Sequence, residues 1–99
     1  MADRRLCLDM MKVTWEIPQL GKRSDCAILM EIDSHGGLLQ TTQEIPSNGI
    51  VHLETSEGSF EGRVTACEHD SYGYLVDFSL DENSSWYPKY CPELIREIQ

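Results

Sequence analysis

The stretch Cys26-Ala-Ile-Leu-Met-Glu-Ile-Asp-Ser-His-Gly-Gly-Leu-Leu-Gln-Thr-Thr42 decides how this chain folds. It predicts a strand, a tight polar turn with two glycines, and a second strand returning beside the first. Cys26, Ile28, Met30 and Ile32 are read as one face of the first strand, and Ala27 and Leu29 make its other face apolar too. The turn gathers Glu31, Asp33, Ser34, His35 and backbone amides in one place. On a small barrel, such a rim is where a ligand would sit.

The same period of two runs outward from this hairpin. Met11, Val13, Trp15 and Ile17 alternate with Lys12, Thr14 and Glu16. Pro18 to Asp25 reads as a loop, and Gly37 to Thr42 as the third strand. Ile45-Pro-Ser-Asn-Gly49 has turn composition. Ile50 to Thr55 is a fourth strand, Phe60, Val64 and Ala66 pattern a fifth, His69-Asp-Ser71 marks a turn, and Tyr72, Tyr74, Val76 and Phe78 define a sixth. After Leu80 the period is lost. Pro92 and Glu93 suit the start of a helix, since proline lacks an amide that would be unpaired there and the carboxylate favours the positive end of the helix dipole. The expectation is all-β: six antiparallel strands closed into a barrel, with a short C-terminal helix. Closure removes the sticky sheet edges. Within one domain of 99 residues, positions 1–9 form an N-terminal arm, 10–80 the barrel and 81–99 an aromatic, proline-rich tail.

Composition narrows the function. The formal net charge is −9, with 17 acidic residues against eight lysines and arginines, so the chain repels nucleic-acid backbones and no DNA or RNA partner is expected. No apolar run reaches the roughly 20 residues of a membrane-spanning helix. Asp9 interrupts the only apolar stretch near the start, so no signal peptide is expected, and the four cysteines are read as reduced thiols of a cytoplasmic protein. Cys7, Cys26, Cys67 and Cys91 lack zinc spacing, and Cys26 and Cys67 are expected to be buried. His35, His52 and His69 fall at turn or outward positions and assemble no catalytic triad. Glu31 and Asp33 are read as a solvated rim and not as a cation site or catalytic pair. Trp15 is assigned to the barrel wall, and Trp86 and Tyr90 to a plug of its open end.

One ordered set of motifs goes further. Val64-Thr-Ala-Cys67, Gly73-Tyr74, Val76-Asp-Phe78, Trp86, Pro88 and Pro92-Glu-Leu94, with the Gln40-to-Gly49 connection, resembles the PilZ domain along nearly the whole chain. The resemblance implies a small bacterial β-barrel in cyclic di-GMP signalling. The family's ligand signature pairs Arg-x-x-x-Arg before the first strand with Asp/Asn-x-Ser-x-x-Gly in the turn. Here Arg4 and Arg5 are present, but Leu8 and Asp9 stand where the second arginine belongs. In the turn Glu31 replaces Asp/Asn, Asp33 replaces serine, Ser34 lies one position off, and Gly36 matches. Leu75 also stands where relatives tend to have glycine. A carboxylate about 4 Å from a phosphate costs on the order of 4 kcal/mol at an effective dielectric near 20, roughly a thousandfold in affinity. The expectation is therefore a non-enzymatic regulatory module with a degenerate nucleotide site. It has no cofactor and works as an adaptor for an unidentified regulatory protein through the 31–37 rim and the aromatic tail. The alternative is direct cyclic di-GMP binding, with Arg4 and Arg5 gripping guanine and phosphate and the Glu31–Gly37 turn closing around the ligand.

Overall fold

Six antiparallel strands follow one another: β1 (Arg5–Ile17), β2 (Gly21–Asp33), β3 (Gly36–Thr41), β4 (Ile50–Thr55), β5 (Gly58–Asp70) and β6 (Gly73–Leu80). They close in the order β1-β2-β3-β6-β5-β4, and β4 returns to β1 through Lys12–Trp15 opposite Val51–Glu54. The computed structural model describes residues 4–82, 85, 86 and 90. The C-terminal helix expected after Pro92 lies outside the described residues, as do Tyr87, Pro88 and Cys91. Among the described residues there is no helix long and apolar enough to cross a membrane.

Alternation builds the barrel interior. Met11, Val13 and Trp15 of β1 point inward, joined by Val51 and Leu53 of β4, Phe60 and Val64 of β5, and Val76 and Phe78 of β6. Each such side chain contributes roughly 1.5–3 kcal/mol on burial. Lys12 and Glu16 face solvent between them. Because β3 and β4 are not neighbours, the connection between them has to cross. It carries Ile45 fully into the core and is pinned to β5 by Asn48 N–H donating to Val64 O (2.8 Å) and Val64 N–H to Gly49 O (2.9 Å).

Three irregularities reset the alternation. In β2 the register slips between Leu29 and Glu31, with Met30 as the extra residue of a bulge. Ala27 and Leu29 are therefore the inward residues before it and Ile32 after it, whereas Cys26 is exposed and Ile28 half-buried. This corrects the expected grouping of Cys26, Ile28, Met30 and Ile32 on one face, and with it the expected burial of Cys26. In β5 the slip between Val64 and Ala66 leaves Ala66 outside the core, while Cys67, opposite Val76, is partly buried against it. In β1 the register breaks between Leu6 and Asp9, so the strand starts at Arg5, well before the clean alternation, and buries Cys7.

The hairpins β2–β3 and β5–β6 use the same turn chemistry. Asp33-Ser-His-Gly36 and Asp70-Ser-Tyr-Gly73 each place an aspartate before a two-residue turn. Its Oδ1 accepts an amide two residues on, from His35 in the first and Tyr72 in the second, each at 2.9 Å. The second turn is therefore Ser71-Tyr72, one residue later than alternation suggested, and Tyr72 projects into solvent.

Candidate functional site

The rim expected from sequence is organised around one guanidinium. Arg4, immediately before β1, reaches Asp33 of β2 with Nε (3.0 Å to Oδ2), Glu31 of β2 with Nη1 (3.8 Å to Oε1), and Asp77 of β6 with Nη2. Since β3 lies between β2 and β6, this one side chain reaches across β3 to tie its two neighbours together. The register shows why the carboxylates converge: Leu38 of β3 lies opposite Glu31 on one side and opposite Asp77 on the other. Partial burial lowers the affinity of Arg4 for its proton, but the bonds to Asp77 and Asp33 outweigh this and hold its pKa above the ordinary guanidinium value. One cation against three carboxylates leaves the cluster formally at −2.

Asp33 is committed twice, through Oδ2 to Arg4 and Oδ1 to the His35 amide. Gly36, the matching glycine of the signature, is buried. A Cβ there would strike the backbone oxygen of Phe78, so strand packing already requires the glycine. Its carbonyl accepts the Trp86 indole N–H at 3.1 Å, which brings the tail aromatics to the barrel end that carries the rim. There Trp86 packs at a tilt against Phe60 (4.8 Å between centroids) and Tyr90 (5.5 Å), and both tail residues belong to the core. The plug reading of Trp86 and Tyr90 fits this arrangement.

Of the expected site residues, Arg4, Glu31 and Asp33 are brought together. Arg5 is exposed at the start of β1 opposite Ile32, Ser34 is exposed in the turn, and Gly36 is enclosed. Asp77 is the residue that sequence reasoning missed. Its signal is the Val76-Asp-Phe78 alternation, which turns it outward, but only the β3–β6 pairing reveals that it meets Arg4.

A broad open groove of about 1020 Å³ lies away from the rim, over the outer faces of β1, β2, β4 and β5. Its charges are interleaved: Lys12 Nζ lies 3.9 Å from Glu54 Oε2, and His52 Nδ1 lies 4.0 Å from Glu61 Oε1. No like-charged cradle forms there, and size alone does not make it a site. Among the described residues no group of three or more His, Cys, Asp or Glu is arranged to hold a metal ion. No known protein-family model matches the chain, and no curated protein matches it at a significant level.

Proposed function

We propose that this chain is a PilZ-like, non-catalytic binding module of bacterial cyclic di-GMP-type signalling whose nucleotide site is degenerate, and that it acts through contact with another protein. The observation that carries the reading is the triple carboxylate grip on Arg4. An anionic nucleotide entering the rim has to displace Asp33 and Asp77 from the guanidinium and then sit among the released charges. Each close approach of phosphate to carboxylate costs on the order of 4 kcal/mol at an effective dielectric near 20. Gly36 and Asp33, the parts of the turn that resemble a ligand cradle, have complete structural roles without one.

The test is a titration of cyclic di-GMP into the full chain, followed by backbone amide NMR. No saturable shift is expected at micromolar ligand. The double variant Leu8→Arg, Asp33→Ser supplies a second guanidinium, removes one competing carboxylate and keeps a side-chain acceptor for the turn amide. It should gain shifts centred on Arg4 and Gly36. Micromolar saturation by the natural sequence would overturn the reading, and absence of gain in the double variant would refute its electrostatic basis.

A further inference from the structure

The outer face of a solvated antiparallel barrel is ordinarily polar. Beside the rim it is not. Met10, 60% exposed, lies opposite Ile28, which continues through Gln40 to Leu75 across β1, β2, β3 and β6. Next to this row sit Leu8, Met30 and Leu38. Leu8 is 48% exposed, the other two are half-buried, and none of the six apolar residues belongs to the core cluster. Leu8 also holds a left-handed backbone, with φ of 52°. That conformation costs a bulky side chain roughly 1–2 kcal/mol. The chain thus bears local strain at the position where it shows a leucine to water.

Carboxylates outnumber cations around this patch. Glu31 and Asp77 flank Leu38 in the register, and exposed Glu68 lies opposite Leu75. Arg4 is engaged by its three carboxylates, and Lys12, two residues beyond Met10, lies beside Glu54 on the opposite flank. A second copy of the chain would bring acid against acid, with −9 on each protomer. Among the described residues every strand has two neighbours in the closed ring, so none offers an edge along its whole length to an added strand.

We infer that the outer face formed by Leu8, Met10, Ile28, Met30, Leu38 and Leu75 is a docking surface for a basic amphipathic segment of another protein, its apolar side chains on the patch and its lysines or arginines toward Glu31, Glu68 and Asp77. This rests on the adaptor reading above and adds the place and the chemistry of the contact. Apolar anchors supply the affinity, and the acidic rim supplies orientation and association rate.

The experiment is selection of a random phage-displayed peptide library on the folded full chain at physiological ionic strength, with binding of the enriched peptides then measured to the natural sequence and to Met10→Lys and Leu8→Lys. Both substitutions are at exposed positions, and amide spectra verify that each variant is folded. The expected peptides combine apolar residues with net positive charge, lose at least tenfold in affinity on either variant, and weaken as salt is raised. Neutral or acidic winners, winners indifferent to both variants, or no enrichment would overturn the inference. So would concentration-dependent dimerisation in sedimentation that Met10→Lys abolishes. Cyclic di-GMP binding by the natural sequence would sink the degenerate-site reading and leave this result standing, so the two failures are separable.

Discussion

Arg4 decides the character of the rim. Its three partners come from two strands that do not touch, so the contact works as a clasp across β3 as well as a neutralised charge. The partner side chains remain 18–38% exposed, so solvent discounts the interaction, and Arg4→Ala is expected to cost about 1 kcal/mol. The loss should be largest at low ionic strength, because Glu31, Asp33 and Asp77 then repel one another without a counter-charge and added salt screens them. Urea midpoints of the natural chain and the variant at low and high salt measure this. A variant whose deficit is independent of salt would mean that the guanidinium contributes packing and not charge. The matched Asp-Ser-X-Gly turns bear on the same rim. Asp70 makes the same turn bond as Asp33 at a hairpin with no resemblance to any ligand signature. The polarity of the first turn is thus accounted for by chain reversal before any ligand is invoked.

At the scale of the strands, bulges separate what could be read from sequence from what could not. β1 was legible from Met11 onward, where apolar inward residues alternate with Lys12, Thr14 and Glu16, so only one phase fits. β2 was not, because Cys26-Ala-Ile-Leu-Met30 is apolar in both phases and carries no mark of an extra residue. Once Met30 is recognised as the bulge, Ala27 and Leu29 become core and Cys26 becomes surface. The site was half legible for a related reason. Glu31 and Asp33 lie on a hairpin that sequence reveals, whereas Asp77 joins them only through the non-sequential pairing of β3 with β6. The corrected phase makes a chemical prediction. Cys26 should react rapidly with a thiol reagent such as DTNB in the native state, and Cys26→Ser should remove that reaction. Cys7 should stay silent until unfolding: it is buried, its thiol donates to Leu29 O at 3.2 Å, and burial pushes its pKa up. Mass mapping of the modified cysteines identifies each; rapid labelling of Cys7 would contradict the placement of β1.

The whole molecule is held at its rim end by a tie between its first strand and Tyr90. Tyr90, far along the chain, is buried beside Phe60 and Trp86 and donates its hydroxyl to Asp9 Oδ2 on β1. Burial raises the phenol pKa well above its ordinary value, and the bond to Asp9 raises it further. The sign of the pH dependence follows. The unfolded phenol ionises near pH 10 while the folded one keeps its proton, so the stabilisation is present in full below about pH 10 and declines above it, by up to about 1.4 kcal/mol per pH unit for one group. The buried Cys7 thiol, also raised, acts in the same direction and begins to do so at lower pH. Tyr90→Phe keeps the ring packing, leaves Asp9 without the hydroxyl and should cost roughly 1–3 kcal/mol at neutral pH. Above pH 10 the variant should lose stability with a shallower slope than the natural chain, so the two urea-derived stability curves converge as pH rises. Subtracting one curve from the other cancels the groups common to both, which isolates this phenol. Parallel curves would mean that Tyr90 titrates in the folded protein as it does in the unfolded one, and that the tail does not close the barrel through Asp9.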